Sequence, residues 1–399
     1  MMFHDAQQLV AQFLAPLPLD EFLDRTLNGA FIKIAAQGSP ARTELLGPDP
    51  EGTLAAAYPL APKLTFHSAN PLGPPPSLEG IADAADFRRR IEEFHARNYS
   101  VRFPELRPLS APLDQLARAL EMLLHQPVTT SAFWSRGGMR APVHHDDHDL
   151  IVAQLRGEKR WYISKKPTEL SNPWQGIPGA PQELGLYETV DVRPGDLLYL
   201  PRGTLHSVDS ASPSLHLAVG FTPLTVREAL IAALDHLSDL DQTLRLSAGG
   251  RLAYQLKAGR YDRLAASVTD AAMRLLSACR TEQFLGEALQ RRSARTVGNL
   301  APLPVPAAGP ALTLDTVLVH SDRAFCHLTA NAEKIDFSYP GGHIYIHRGA
   351  QESLLYMVNT PRFAVRDIPG AADDNVRLSL AARLVEIGYL RPQAAPAST

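Results

Sequence analysis

The chain has 399 residues, of which 45% are hydrophobic and 20% are charged, so its composition predicts a folded protein of two or three domains. Its net charge of −3 provides no overall attraction to nucleic acid or to an anionic membrane, and its two cysteines cannot form a disulfide framework. We expect a cytoplasmic protein without a signal peptide or a transmembrane helix, because the N-terminus lacks a basic segment and no apolar run approaches ~20 residues.

The first half of the chain predicts helices followed by many short strands. Residues 1–30 are typical of helix and loop, and short strands are expected at 31–35 and 43–46. Helices are expected at 86–96 and 113–124, where apolar residues recur at helical spacing. Turns rich in glycine and proline then separate further predicted strands at 128–134, 149–155, 160–164, 187–192, 197–200 and 214–221. Short strands at this spacing indicate an all-β barrel or jelly roll.

The pattern changes after Thr222. Residues 226–289 have leucine-rich faces at helical spacing and predict about three helices, and a proline- and alanine-rich linker is expected at 300–310. The last segment predicts strands around 337–346 and at 354–358. A helix is expected to begin after Asp373, which can cap it, and to end near Gly388.

The predicted barrel contains a candidate metal site. His144 and Asp146 are two residues apart, so on a strand they share one face. His206 follows in the segment PRGTLHSV, and two histidines with one carboxylate are the ligand set of non-haem Fe(II) oxygenases. Spacing alone leaves a second pair open, because His145 and Asp147 form an equally good His-x-Asp pair on the opposite face.

A cation near this site would be informative, because a 2-oxo acid that chelates Fe(II) carries a second carboxylate that needs a positive partner. Lys159 lies just after the turn at Gly157 and before a predicted strand. Arg156 and Arg160 compete for the same role on sequence grounds.

These segments, HHDDHDLIVAQLRGEKRW and VDVRPGDLLYLPRGTLHSV, resemble the JmjC-type, cupin-fold 2-oxoglutarate/Fe(II) oxygenases, and in particular the ribosomal-oxygenase subgroup. The resemblance extends upstream through NYSVRFPEL and QPVTTSAFW, and downstream to the C-terminal segment. It implies an α+β protein with a double-stranded β-helix (jelly-roll, cupin) JmjC domain at 1–222. A helical dimerisation region at 223–305 and a small winged-helix domain at 306–399 would follow.

The resemblance also implies roles for individual residues. The family's metal ligands fall on His144, Asp146 and His206, and its 2-oxoglutarate-binding lysine falls on Lys159, with no catalytic residue implied beyond the metal ligands. Two further positions near the co-substrate fall on Ser214 and His216. Many relatives have TPPGSQGF before the metal pair where this chain has SRGGMRAPV, so we expect an individual substrate rim formed by Arg136, Arg140 and His148.

By this resemblance the chain is expected to use Fe(II), 2-oxoglutarate and O₂ to hydroxylate an arginine or histidine side chain of a ribosomal or other protein or peptide. It is expected to be a homodimer that binds neither a membrane nor nucleic acid directly. The C-terminal segment 351–392 balances five arginines against five acidic residues and so has no basic patch. The alternatives are a cupin metalloenzyme that does not use 2-oxoglutarate and a non-catalytic cupin interaction protein.

Overall fold

The computed structural model describes most of the chain as two compact units, Met1–Pro223 and Leu224–Thr399. The described residues are 3–27, 29–36, 40–168, 170, 183–247, 259, 261–305, 311–370 and 373–393, so part of the expected linker at 300–310 lies outside them. Within these residues, every helix is too short or too polar to cross a bilayer.

The first unit combines helices with short strands. Its helices are α1 Phe3–Leu14, α2 Leu19–Leu27, α3 Pro40–Thr43, α4 Pro50–Ala56, α5 Ala84–Ala96 and α6 Ala111–Leu124. Its strands are β1 Ile32–Ile34, β2 Thr65–His67, β3 Ser100–Pro104, β4 Val128–Ser135, β5 Asp149–Arg156, β6 Lys159–Ser164, β7 Tyr187–Val192, β8 Leu197–Leu200, β9 His206–Ser210 and β10 Ser214–Phe221.

Two antiparallel sheets pack face to face in this unit. The larger has the order β1-β8-β5-β10-β4-β3-β2, and the smaller has the order β7-β6-β9. Apolar side chains of β5, β8 and β10 pack with those of β6, β7 and β9 to form a core between the sheets. Residues of β10 are buried along its whole length, as expected for a central strand that is covered on both faces. The expected jelly roll is therefore confirmed.

Helices cover the outer face of the larger sheet. In α6 the hydroxyl of Ser110 accepts a hydrogen bond from the Leu113 backbone N–H, and the helix ends at His125 in the left-handed conformation. Leu113, Leu116 and Leu120 lie on the buried side of α6, where they join a core shared with α1, α5 and the sheet. This helix layer leaves the opposite face of the sheet to form the inside of the barrel.

The turn between β5 and β6 requires glycine. Gly157 has φ +62°, and a Cβ atom there would lie 2.0 Å from the carbonyl oxygen of Pro213. This close approach fixes the start of β6, so that Lys159 pairs with Val192 on β7 and with Ser210 on β9.

The second unit contains the remaining helices and two small sheets. Its helices are α7 Val226–Leu240, α8 Asp262–Ala278, α9 Glu282–Gly298, α10 Gln351–Asn359 and α11 Asp374–Glu386. Its strands are β11 Val317–His320, β12 His327–Ala330, β13 Lys334–Tyr339, β14 Gly342–His347, β15 Arg362–Ala364 and β16 Leu390–Pro392. The sheets have the orders β15-β11-β16 and β12-β13-β14, and α9 packs against α7 and against β12 and β13.

Most expected elements are confirmed, and two are wrong. The strand expected at 354–358 is part of α10, in which Leu354 and Met357 are buried one helical turn apart. The strand expected at 43–46 is absent; α3 ends at Thr43, and the two leucines that follow are buried in the main core. The first is a short apolar run and the second contains only two apolar residues, and neither pattern distinguishes strand from helix.

Candidate metal centre

The barrel interior holds a cavity of about 450 Å³ between the two sheets. Its walls include His216 and Phe133 from the larger sheet and Trp161 and His206 from the smaller sheet. The candidate metal ligands and Lys159 all line this one cavity.

His144, Asp146 and His206 are brought together at the side of the cavity. One nitrogen of each imidazole and one carboxylate oxygen all lie within 4.8 Å of one another. The Nε2 atom of His206 is 3.7 Å from Oδ2 of Asp146. Three such ligands on one face of an ion leave further coordination positions open, which distinguishes this arrangement from a closed structural zinc site.

Backbone hydrogen bonds hold the two histidines in place. The N–H of His144 donates to the carbonyl of His206 at 3.0 Å, and the N–H of His206 donates to the carbonyl of His144 at 2.8 Å. The backbone carbonyl of Asp146 accepts from Gly203 N–H at 2.8 Å. These backbone hydrogen bonds join the loop that carries the first two residues to the start of β9.

Each imidazole is also oriented by a backbone carbonyl. Nδ1 of His144 lies 2.8 Å from the oxygen of Pro142, and Nδ1 of His206 lies 2.9 Å from the oxygen of Thr204. Because a carbonyl can only accept, the proton sits on Nδ1 in each ring and the Nε2 lone pair is free. Burial lowers the pKa of His206 to about 4, so its imidazole is neutral at physiological pH. Imidazoles with free Nε2 atoms are suited to metal binding.

The alternative pair is not assembled into this cluster. His145 is 1% exposed and is not part of the cavity lining, whereas the Asp147 side chain is 69% exposed. Asp147 instead contacts His148, with 2.6 Å between Oδ1 and Nδ1. His148 does line the cavity, where it lies over Gly220; a Cβ atom there would come within 2.4 Å of the imidazole.

Lys159 is buried at the inner end of the same cavity. Its ammonium lies 3.2 Å from Oγ of Ser135 and 3.4 Å from the carbonyl oxygen of Phe133, and Ser135 in turn contacts Ser100 at 2.8 Å. None of these neighbours is an anion, and burial lowers the pKa of Lys159 to about 7. A buried ammonium without a negative partner is suited to binding the carboxylate of a small molecule.

Two further polar atoms in the cavity have no hydrogen-bond partner among the described residues. They are Nδ1 of His216 and Nε1 of Trp161, both buried. The ring of His216 stacks on Phe133 with 4.9 Å between centroids, and Trp161 lies between His206 and His216. Two residues of the cavity lining therefore carry buried hydrogen-bonding atoms that no described residue uses.

The remaining expected site residues lie elsewhere. Ser214 is buried and hydrogen-bonds to Ser210 at 3.1 Å, next to the lysine, but it is not part of the cavity lining. Arg140 forms a salt bridge with Asp209 at 2.8 Å, and Arg136 is exposed. Neither arginine is part of the lining, so their rim role stays a prediction.

Sequence reasoning missed several polar residues of the site, among them Ser100, Thr129 and Ser131 of the cavity lining. Ser135 contacts the lysine, and His67 and Arg102 line the cavity, where Arg102 donates a hydrogen bond to Ser131 at 2.9 Å. They belong to β2, β3 and β4, which precede the metal motif in the chain. Only the pairing of these strands in the larger sheet brings them to the cavity, so no local motif could have identified them.

Comparison with known proteins identifies the domain type. Residues 109–229 match the family model described as the JmjC domain. Ribosomal oxygenase 2 of Rattus norvegicus is 27% identical over 143 residues, which are 34% of this chain and 30% of the relative. The bifunctional lysine-specific demethylase and histidyl-hydroxylase NO66 of Dictyostelium discoideum is 38% identical over 81 residues, which are 19% of this chain and 16% of the relative. These matches thus span less than a third of either relative.

Solved structures show the same fold over nearly the whole chain. YcfD, a ribosomal oxygenase from Escherichia coli solved in complex with cobalt and 2-oxoglutarate, superposes with a TM-score of 0.54. The match covers 95% of this chain and 99% of the YcfD chain at 19% sequence identity. The chain accordingly contains a JmjC domain with a cupin fold, and the resemblance inferred from the sequence motifs is confirmed.

Proposed function

We propose that this chain is a 2-oxoglutarate- and Fe(II)-dependent dioxygenase that hydroxylates an amino-acid side chain of a protein or peptide. The observation that carries the proposal is the presence, in one cavity, of a two-histidine, one-carboxylate cluster and a buried lysine without an anionic neighbour. Binding of iron would require only the histidine–aspartate cluster and would not account for the buried lysine. A co-substrate with a second carboxylate accounts for it, because the lysine can pair with that carboxylate.

In this proposal His144, Asp146 and His206 hold the metal. The two imidazoles supply Nε2 atoms, and Asp146 supplies a carboxylate that favours a divalent ion. Bound Fe(II) would provide the centre for O₂ activation, coupled to oxidation of 2-oxoglutarate to succinate and CO₂. The carbonyls of Pro142 and Thr204 keep both rings in the metal-binding tautomer throughout.

The lysine would orient the co-substrate. Its ammonium would pair with the carboxylate remote from the metal, and Ser135 would remain as its second hydrogen-bond partner. His216 and Trp161 also line the cavity, and they are our candidates for further contacts with the co-substrate. The apolar core around them excludes water from the reacting groups.

We propose an arginine or histidine side chain of a ribosomal or other protein as the substrate. The relatives named ribosomal oxygenase and histidyl-hydroxylase support this class. Arg102 and His148 line the cavity together with the exposed Asp147, and these side chains are our candidates for contacting the substrate.

We also propose that the second unit comprises a helical dimerisation region at 223–305 and a winged-helix domain at 306–399, and that the chain is a cytoplasmic homodimer. Val226, Leu230 and Leu234 recur every four residues along α7 and are 79%, 52% and 44% exposed. Such a continuous apolar stripe is typical of a surface that is covered by a partner. A sedimentation experiment in which the chain remains a monomer at micromolar concentration would refute the dimer.

Succinate production tests the activity. The purified chain is supplied with Fe(II), O₂ and 2-oxoglutarate, and we expect succinate to form. Asp146→Ala should abolish its formation. His145→Ala serves as the matched control, because His145 is a neighbouring histidine outside the cavity lining, and it should retain a measurable rate.

The product identifies the substrate. Ribosomal proteins and small peptides from the same cells are incubated with the active enzyme and examined by mass spectrometry for the gain of one oxygen atom.

Succinate formation that is unaffected by Asp146→Ala would overturn the metal assignment. Metal binding without any consumption of 2-oxoglutarate would instead favour a cupin metalloenzyme of another class.

A further inference from the structure

The second unit has a groove of about 780 Å³ between strand β14 of the β12-β13-β14 sheet and helix α11. We call it the β14 groove, and its walls include Ile344, Tyr345, Asn375, Val376, Ser379 and Leu380. The helix residues lie three to four positions apart, so they form one stripe that faces the strand. None of these residues belongs to the barrel or to the proposed oxygenase site.

Strand β14 is an edge strand with outward-facing backbone groups. It pairs only with β13 in the described sheet, in the register Ile344↔Phe337 and Ile346↔Ile335. The N–H of Arg348 donates to the carbonyl of Glu333 at 2.9 Å, which marks this pair as hydrogen-bonded. Because hydrogen-bonded pairs alternate in antiparallel sheets, the even-numbered residues of β14 bond to β13. The backbone groups of His343, Tyr345 and His347 therefore point away from β13.

This edge lacks the features that usually prevent further strand pairing. Its sequence, GHIYIH, contains no proline, lysine or acidic residue, and its register with β13 has no bulge. The edge strand β7 in the barrel is equally long but carries Glu188 and Asp191. The edge strands β15 and β16 of the neighbouring small sheet have only three residues each. Among these edges, β14 is the one best suited to accept another strand.

The groove lining carries one acidic and one basic side chain, Asp373 and Arg383. Asp373 accepts a hydrogen bond from the Val376 backbone N–H and so caps α11, and Arg383 pairs with Glu386 on the same helix at 2.6 Å. Asn375 and Ser379 make no hydrogen bond through their side chains among the described residues. The groove thus presents apolar surface, neutral polar groups and two charges of opposite sign, which favours a ligand without net charge.

We propose that the β14 groove binds an extended, uncharged peptide segment of a partner protein by adding it as a fourth strand beside β14. The backbone of the segment would bond to His343 and Tyr345, and alternate apolar side chains would contact Ile344, Val376 and Leu380. At about 3.4 Å per residue, a segment of about six residues would match the length of β14. A second copy of this chain would have to bring its own β13 and α11 into the groove, so a single segment fits better.

The test uses random peptides displayed on phage and selected against the immobilised full-length chain. Enriched peptides are synthesised, and their affinity is measured by fluorescence anisotropy for three proteins. These are the wild type, Tyr345→Pro and Tyr345→Ala. Proline removes the outward N–H of residue 345 without removing a bond to β13, and edge strands tolerate it there. Alanine removes the same side chain but keeps the N–H.

We expect peptides with alternating apolar residues and no net charge. Tyr345→Pro should weaken their binding about tenfold or more, and Tyr345→Ala should change it less than about threefold. Hydrogen exchange provides a second readout: the amides of His343 and Tyr345 should exchange rapidly in the free chain and slowly with bound peptide. The amides of Ile344 and Ile346 should be protected in both states.

Three outcomes would overturn the proposal. The first is peptide binding that Tyr345→Pro leaves unchanged. The second is an oligomeric state that changes in Tyr345→Pro, because the occupant would then be a second copy. The third is a selection that enriches no groove-binding peptide while a DNA or RNA oligonucleotide slows exchange at Tyr345. Succinate formation should be the same in all three proteins, so this test does not depend on the proposed activity.

Discussion

Lys159 is expected to lower the stability of the fold, although we propose that it binds the co-substrate. Its side chain is buried next to Ser135, and its pKa falls from 10.5 to about 7. Each pKa unit corresponds to about 1.4 kcal/mol, so the buried charge costs about 4 kcal/mol of folding free energy at pH 7. Lys159→Met keeps the length of the side chain without its charge. We expect this variant to be more stable than the wild type by a few kcal/mol when metal and 2-oxoglutarate are absent.

The sign of the pH dependence follows from the lowered pKa. Between pH 7 and 10.5 the unfolded chain holds a proton on this lysine that the folded chain has released, so wild-type stability rises with pH in this window. Below pH 7 both states are protonated and the full cost remains. The stability advantage of Lys159→Met should therefore be greatest at pH 7 and below, and should shrink to about 1 kcal/mol near pH 10.

Urea unfolding at pH 7 and pH 10 measures the stability, and calorimetric titration of the metal-loaded chain measures 2-oxoglutarate binding. Lys159→Met should weaken this binding by about 100-fold or more, because an anion would lose its buried partner. Lys165→Met is the matched control: its side chain lies just beyond β6 and is 60% exposed, so both quantities should remain near those of the wild type. A Lys159→Met variant that is less stable at pH 7 and binds 2-oxoglutarate normally would refute the reasoning.

Two further predictions concern the metal and the core. Asp146→Ala should weaken Co²⁺ binding by more than about 100-fold in a calorimetric titration, whereas Asp147→Ala should leave it within about threefold; equal losses would contradict the assignment. Glu121 is buried and pairs with Arg107 at 2.6 Å, so Glu121→Ala should lower the free energy of unfolding in urea by about 3–5 kcal/mol. The exposed Glu105 pairs with a lysine at 2.6 Å, and Glu105→Ala should cost less than about 1 kcal/mol; similar losses in both variants would show that burial does not matter.

The sequence predicted the barrel strands because alternation and turn residues are local signals. Strand β9 was missed because HSVDS is largely polar, although its residues are mostly buried. His206 lines the cavity and Ser207 donates a hydrogen bond to the Ala141 carbonyl, so these polar residues are buried through specific contacts that hydrophobic patterning does not detect. Helix α10 was missed for the opposite reason, since the apolar run at 354–358 fits either a buried strand or a helix.

The candidate site was predictable where the motif was local. His144 and Asp146 are two residues apart, but spacing could not exclude His145 and Asp147, and the family resemblance was needed to choose. In the structure the backbone bridge to His206 is formed by His144, which favours the pair His144 and Asp146. This bridge is a contact between residues 62 positions apart in the chain. The unpaired atoms of the cavity and the β14 groove likewise depend on pairing between distant segments, which no local pattern encodes.

The backbone bridge between His144 and His206 has a consequence for how the protein acquires its metal. Because hydrogen bonds of the chain itself orient the two imidazoles, an arriving ion needs to order these side chains little further, and its binding to the folded chain raises the stability of the fold. A site made of nitrogen and oxygen ligands generally binds divalent ions in the order of their intrinsic affinities for such ligands, and copper and zinc bind more tightly than iron. Iron would then prevail only where it is the most abundant exchangeable ion during loading. Which ion the protein binds would then depend on the metal ions available in the cell rather than on a preference of the protein for iron.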